Sequence, residues 1–268
     1  MRNQPGGISK IEGEILKHFS SIEAVTIRID DILALFPGSR KKGSQILSRM
    51  AHKGWLQKLD SGVYRILPLY ASGEAPQIED PWSIAMDLFK PAFISGWTAA
   101  EHWDFTEQIF NTVSLVTSIP KNPTLQKIGG VEFRIKCLPT RRIFGHAPIW
   151  AGSRKIEMAD PNRLVIDILD DPSFGGGGRH TLDIVKEYVR AGKCEVDILM
   201  DYAKRFGKGT VFKRMGFLME TFNAPVSKPW LEECRASITR GVSDLDPGSP
   251  HVGRISTRWN LRINLPMD

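Results

Sequence analysis

Small and apolar residues recur at helical spacing three times near the start of the chain. The three groups are Ile8, Ile11, Ile15 and Phe19; Ile29, Ile32, Leu33 and Phe36; and Gly43, Ile46, Leu47 and Met50. Spacing of three and four residues places one face of a helix against a core, so the pattern predicts three short helices. Ser9 and Ser39 are suited to cap the first and third of them, and Pro37-Gly38-Ser39 predicts a tight turn before the third.

Two strand-like segments follow the third helix, which we expect over residues 40–53. Residues 55–59 and 63–67 flank Asp60-Ser61-Gly62, which is typical of a hairpin turn. Three helices followed by a basic hairpin is the element order of a winged helix-turn-helix. The sequence therefore predicts a winged helix-turn-helix domain over residues 1–69.

The outer face of the third helix is rich in hydrogen-bond donors and contains no acid. A recognition helix in the major groove needs such a face, because Gln and Arg contact base edges while Ser and Lys contact base edges or phosphates. Lys58 and Arg65 of the hairpin are placed to meet the phosphate backbone. The predicted DNA-binding residues are Arg40, Lys41, Lys42, Ser44, Gln45, Ser48, Arg49, His52, Lys53, Lys58 and Arg65.

The distribution of charge favours a polyanion-binding module at this end of the chain. The net charge is +6, and residues 1–70 hold 11 Lys and Arg against 6 Asp and Glu, whereas the remainder holds 25 against 24. Such an asymmetry is typical of a nucleic-acid-binding module joined to a neutral domain. Two other interpretations stay open: a solvated basic face on a small core, and a winged helix that binds a protein.

Residues 70–81 are rich in small, polar and proline residues, and they predict a linker before a larger domain at 82–268. In and just before that domain the pattern predicts helices at 81–90, 99–103, 161–169, 181–191, 195–205, 211–222 and 230–239. It predicts strands at 112–117, 131–138, 149 with 155–158, and 255–263. Strands followed by helices favour an α+β fold class, with the N-terminal winged helix-turn-helix preceding a mixed C-terminal domain.

No arrangement in the larger domain predicts catalysis. Gly175–Gly178 precedes a helix but lacks the Lys-Ser/Thr of a P-loop, which favours a flexible turn. Asp160 is suited to cap the helix at 161–169, and Asp170-Asp171-Pro172 is interpreted as a solvated exit turn. The six His are scattered, and Glu132 to Lys136 has the wrong spacing for a nuclease. We therefore expect no enzyme, no cofactor and no metal site.

Apolar and polar residues alternate over 255–263, which predicts one strand with Arg254, Arg258 and Arg262 on a single face. Two interpretations stay open for this face: an ordinary exposed sheet surface, or a contact surface for nucleic acid or an acidic protein.

The cysteines and the apolar runs predict a cytoplasmic protein. Cys137, Cys194 and Cys234 are few and far apart, as in a reduced compartment. The first residues lack the apolar segment of a secretory signal, and no apolar run reaches the roughly 18 residues that a membrane span needs.

Six segments spread across nearly the whole chain give a further indication of function. They are SGVYRILP, FISGWTAAEHWDFTEQ, GVEFRIKCLP, ADPNRLVIDILDDPSFGGGG, YAKRFGKGTVFKRMGFLME and LDPGSPHVGRISTRWNLRIN. In this order they resemble the AbiEi family of antitoxins from abortive-infection toxin–antitoxin systems. The most specific of them is ADPNRLVIDILDDP with its glycine run.

The resemblance implies two roles. The N-terminal winged helix would repress the antitoxin–toxin operon by binding inverted repeats in its promoter. The C-terminal domain would counteract a nucleotidyltransferase-like toxin encoded by the adjacent gene. The family assigns no catalytic residues to this chain and implies that Gly175–Gly178 is a turn. A regulator whose larger domain senses a ligand or partner, and a DNA-processing enzyme, remain as alternatives.

Overall fold

A computed structural model describes residues 7–68, 78–120 and 124–267. Over these residues the α+β class is confirmed. The helices are α1 (Lys10–Ser21), α2 (Ile29–Leu35), α3 (Arg40–His52), α4 (Pro81–Phe89), α5 (Gly96–His102), α6 (Pro161–Asp170), α7 (Gly178–Arg190), α8 (Val196–Phe206), α9 (Gly209–Thr221) and α10 (Lys228–Ala236).

Within the described ranges, strands occur before α4, between α4 and α6, and after α10, and short 3-10 helices occur at Thr140–Arg142 and Pro172–Gly175. The strands are β1 (Ile27–Arg28), β2 (Leu56–Asp60), β3 (Val63–Ile66), β4 (Ala92–Ile94), β5 (Thr112–Thr117), β6 (Leu125–Ile128), β7 (Val131–Cys137), β8 (His146–Ala151), β9 (Arg154–Ala159), β10 (Ser243–Asp244), β11 (Arg254–Ser256) and β12 (Leu261–Ile263).

Contacts divide the chain into two compact units whose extents differ from the predicted domains. The first unit comprises residues 1–90 and 125–133, and the second comprises 91–124 and 134–268. Helix α4 belongs with the first unit, since the Thr26 hydroxyl donates to Asp87 Oδ2 over 3.0 Å and the Arg28 guanidinium donates to the Asp87 carbonyl. Most of the predicted linker at 70–81 lies outside the described residues, so its role stays a prediction.

The first unit contains α1, α2 and α3 with a three-stranded antiparallel sheet in the order β1-β3-β2. The three predicted helices and the predicted hairpin are confirmed, as are the caps by Ser9 and Ser39. Helix α3 approaches α2 closely at Gly43, where a Cβ atom would lie 3.3 Å from Ile29 Cγ2. The core of the helices and sheet comprises Ile15, Phe19, Ile27, Ile32, Ile46, Leu47, Met50, Leu56 and Tyr64.

The second unit is built on a mixed sheet whose strands follow the order β7-β5-β4-β9-β8. Strand β4 pairs antiparallel with β5 and parallel with β9, and all three of its residues are buried. A smaller sheet has the order β10-β12-β11. The predicted strands at 112–117 and 131–138 and the predicted helices from 161 onward are present within a few residues.

Helix α5 begins at Gly96 rather than at the predicted Ala99, so Thr98, which directly precedes the predicted start, lies inside the helix and does not cap it. The Thr98 hydroxyl instead accepts from the Ser114 amide over 2.9 Å, and Ser95 occupies the N-cap position. The Thr98 side chain therefore joins α5 to β5 instead of starting a helix.

The predicted single strand over 255–263 is wrong. Residues 254–256 and 261–263 form a hairpin, β11 and β12, with Ile255 opposite Arg262. Trp259 lies in the turn between them and is 1% exposed, and its indole N–H donates to Glu220 Oε2 over 2.8 Å. Trp259 fits the alternating pattern of a strand in the sequence, but in the structure it is a turn residue that is hydrogen-bonded to α9.

Asp170 and the two ends of the glycine run, Gly175 and Gly178, pack against other residues, so the predicted solvated turn at Asp170 is wrong. The Asp170 side chain is 5% exposed, and Lys136 Nζ lies 2.9 Å from its Oδ2. A Cβ atom on Gly178 would lie 2.5 Å from the Asp246 carboxyl carbon. Asp160 does cap α6, as predicted, since its Oδ1 accepts from the Arg163 amide over 2.8 Å.

Candidate nucleic-acid interface

The exposed face of α3 carries most of the residues predicted to bind DNA. Gly43, Ile46, Leu47 and Met50 of α3 are buried, which leaves the opposite side of the helix in solvent. On that side Ser44 is half-buried, and the residues that are exposed are Lys41, Gln45, Ser48, Arg49 and His52.

Three cations occupy the first turn of α3, where the helix dipole opposes them. Arg40 forms an ion pair with Asp30, whereas Lys41 and Lys42 form no ion pair with any residue that the structure describes. A cation near a helix N-terminus is disfavoured by about 0.3–1 kcal/mol, while an anion is favoured there. The three cations therefore do not stabilise the isolated helix, but together with the helix dipole they favour the binding of an anionic partner at the first turn.

Glu12 of α1 lies beneath the last turns of α3 and holds two of its predicted DNA-binding cations. Glu12 is 0% exposed, Arg49 Nε donates to its Oε1 over 2.9 Å, and Lys53 Nζ donates to its Oε2 over 2.8 Å. The Ser9 amide also donates to Oε2, over 2.8 Å, and completes a capping box on α1.

These donors keep the Glu12 carboxylate charged despite its burial. Burial acts to raise the pKa of Glu12, but hydrogen bonds from Lys53, the Ser9 amide and Arg49 outweigh it and lower the pKa to about 2. Arg49 remains about half exposed, with 54% of its side chain accessible, whereas the Lys53 side chain is 26% exposed. Sequence reasoning missed Glu12 as part of this site, although the Ser9-x-x-Glu12 spacing is a recognisable capping signal.

The two basic residues predicted on the hairpin lie on opposite faces of it. Lys58 is opposite Tyr64, and Arg65 is opposite Gln57, so their side chains leave the ladder on different sides. Lys58 is exposed, whereas Arg65 is half-buried and its Nε donates to Gln57 Oε1 over 2.6 Å. Burial lowers the pKa of Arg65, and the charge of Glu79 opposes that shift.

The predicted arginine face near the C-terminus is also divided. Arg254 is opposite Ile263 and Arg262 is opposite Ile255, so their side chains leave β11 and β12 on opposite faces. Arg262 Nε lies 3.0 Å from Asp244 Oδ1. Arg258 lies in the intervening turn, and its guanidinium nitrogens lie 3.4 Å from a Glu220 oxygen and 3.1 Å from a Glu232 oxygen. The prediction of a single arginine face is therefore wrong.

A buried ionic network lies at the centre of the second unit. Arg163 is 0% exposed, and its Nε and Nη2 each donate over 3.0 Å to an oxygen of Asp167. The Ser95 hydroxyl donates to the same carboxylate over 2.8 Å, and Phe144 and Phe93 rings flank the guanidinium. The donors and acceptors of this network are paired with one another inside the core. Because Arg163 and Asp167 belong to α6 and Phe93 belongs to β4, the network joins α6 to the sheet.

No group of His, Cys, Asp and Glu side chains with the geometry of a metal site occurs among residues 7–68, 78–120 and 124–267. Over the same part of the chain, the helices all fall short of the length and apolar character that a membrane crossing requires.

Comparison with known proteins shows the fold. No protein-family model and no curated protein matches the chain. Among solved structures it is similar to the RV2827C protein from Mycobacterium tuberculosis, with a TM-score of 0.62 and 16% sequence identity. The match covers 95% of this chain and 92% of that one. At this identity the similarity concerns the fold alone.

Proposed function

We propose that the first unit contains a winged helix-turn-helix that binds duplex DNA through α3. The observation that carries this proposal is the exposed, acid-free face of α3, with Lys41 and Lys42 unpaired among the described residues at its N-terminus. The chain order α1-β1-α2-α3-β2-β3 and the sheet order β1-β3-β2 support it, because a winged helix has this element order and a terminal hairpin.

The exposed side chains of α3 divide by position into two kinds of contact. Lys41 and Lys42 lie in the first turn, where the helix dipole and their own charge both favour a phosphate. Gln45 and Ser48 lie one and two turns further along the exposed face, with side chains suited to base edges in the major groove. On this account α3 meets the duplex along its exposed face, from the first turn onward.

We further propose that the whole chain is a transcriptional repressor and antitoxin. It would bind inverted repeats in the promoter of its own operon and counteract a nucleotidyltransferase-like toxin encoded next to it. The segments similar to the AbiEi antitoxins support this role, since they extend through both units. The excess of positive charge in the first 70 residues supports the assignment of DNA binding to that part of the chain and of the antitoxin role to the remainder. These activities would be cytoplasmic.

Replacement of Gln45 by Ala tests the DNA-binding proposal. We expect the full chain to bind the duplex upstream of its own gene, and Gln45→Ala to weaken that binding by roughly 5- to 150-fold, because one good base contact is worth about 1–3 kcal/mol. Fluorescence anisotropy with a labelled duplex measures the change.

The matched control is Gln108→Ala, which removes the same amide from an exposed position of the second unit. The control should bind as the wild type does. Equal affinity of the two variants would refute α3 as the recognition helix, and a wild-type chain without preference for its upstream DNA over random DNA would refute sequence-specific binding.

A further inference from the structure

We infer that Glu12 is a positioning residue that makes DNA binding by α3 sequence-selective, because it orients Arg49 and withdraws Lys53 from the phosphates. This inference rests on the proposed DNA-binding function of the first unit. It concerns a residue of α1 that lies beneath the DNA-facing helix and is itself inaccessible to any ligand.

The carboxylate of Glu12 makes more contacts than a helix cap requires. A capping box needs one oxygen to accept from the N-cap amide, and Glu12 Oε2 does this for Ser9 over 2.8 Å. The other oxygen, Oε1, is directed to Arg49 Nε over 2.9 Å, 37 residues along the chain. The second oxygen thus links α1 to the outer face of α3.

The bond to Arg49 leaves the end of its guanidinium available. Arg49 donates to Glu12 through Nε, and the Arg49 side chain remains 54% exposed. A guanidinium held through Nε retains its two terminal amino groups, and this fork is the one that reads guanine O6 and N7 in the major groove. Because the carboxylate fixes the plane of the fork before DNA arrives, less side-chain freedom is lost when the base contact forms.

For Lys53, in contrast, the charged end of the side chain is itself bound within the protein. Its ammonium donates to Glu12 Oε2 and to the Gly7 carbonyl, both over 2.8 Å, and its side chain is 26% exposed. A cation bound to a buried carboxylate and a carbonyl adds little to the neutralisation of phosphates, which supplies non-specific affinity. Glu12 therefore favours the base contact of Arg49 and reduces the sequence-independent attraction of Lys53.

The variant Glu12→Gln separates the positioning role from the capping role. The glutamine carbonyl can still accept from the Ser9 amide, since a capping box takes Glu or Gln at this position. The negative charge that holds Arg49 and Lys53 is lost. The matched control is Glu14→Gln, which removes the same charge from an exposed position of α1.

The experiment measures affinities of the full chain for the upstream duplex and for a random duplex of equal length, across a series of salt concentrations. We expect Glu12→Gln to lower the ratio of the two affinities at least fivefold, in line with the loss of one base contact. For the random duplex, the slope of log affinity against log salt should steepen by about 0.9 for each cation released. Glu14→Gln should change the ratio by less than twofold, and its slope for the random duplex should steepen less than that of Glu12→Gln.

A purely structural role gives a different result. If Glu12→Gln merely unfolds part of the protein, both affinities fall by the same factor, which leaves the ratio unchanged and overturns the inference. An affinity ratio and a salt slope equal to those of Glu14→Gln also overturn it. If the wild type itself lacks preference for the upstream duplex, the proposed function fails instead, so the two failures are distinguishable.

Discussion

Glu12 serves both α1 and α3, and its charge state links the stability of the first unit to pH. In the folded unit its pKa is about 2, compared with 4.5 for an ordinary glutamate. A depressed folded-state pKa contributes stability that is fully present above pH 4.5 and is lost as the pH falls towards 2. A shift of this size corresponds to roughly 3 kcal/mol.

We predict that the stability difference between the wild type and Glu12→Gln decreases as the pH is lowered from 5 to 2. Urea unfolding of the full chain, followed through amide signals of α1 and α3, measures this difference at each pH. A difference that stays constant over this range would show that the ion pairs with Arg49 and Lys53 do not stabilise the fold.

Individual ionic contacts were the hardest features to predict, because their partners are distant in sequence. The neighbouring Asp171 and Pro172 predict a solvated turn at Asp170, yet Lys136 and Lys208 approach Asp170 from other elements. Likewise, the Ser9-x-x-Glu12 spacing identifies a cap, but only the crossing of α1 and α3 brings Arg49 to the same carboxylate. Local sequence specifies which groups can pair, and the tertiary fold decides which of them do.

At the scale of elements, the helices were predictable and the short strands were not. Periodicity over ten or more residues, with caps at Ser9 and Ser39, located α1 and α3 almost to the residue. Strand β4 spans only Ala92–Ile94 and is buried on both faces, so it has no alternation to detect. The same rule failed at 255–263, where alternation continued through a turn because Trp259 is buried for a different reason.

The residues of the candidate interface could likewise be predicted on the helix but not on the hairpin. The sequence located the donor-rich face of α3, since a helix of known phase determines which side chains share a side. It did not separate Lys58 from Arg65, because the faces of a hairpin depend on its register, and β2 contains an irregularity between Lys58 and Asp60.

At the scale of the whole molecule, a basic module of about 70 residues is followed by a nearly neutral remainder. This division is consistent with the proposed function, in which the first unit would bind DNA and the second would act on the toxin. Residues 125–133 belong with the first unit, so removal of residues 1–79 would divide that unit. Tests of the antitoxin role therefore require the full chain with point substitutions.

We predict that co-expression of the full chain with the adjacent toxin-like gene restores bacterial growth. The Gln45→Ala variant should restore growth equally when expressed from an independent promoter, because its substitution concerns DNA contact alone. Growth in culture measures the outcome. Failure of the wild-type chain to restore growth would contradict the antitoxin role while leaving the DNA-binding proposal unaffected.

The most direct test of the central claim, that α3 carries the DNA contact, needs no knowledge of the operator. It is the salt dependence of binding to a random duplex, compared between Lys41→Ala and Lys17→Ala. Both lysines are exposed in the first unit, on α3 and α1 respectively, so the variants lose the same charge. The account predicts that the salt slope of Lys41→Ala is smaller by about 0.9 than that of the wild type, while Lys17→Ala keeps the wild-type slope. Equal slopes for the two variants would contradict it.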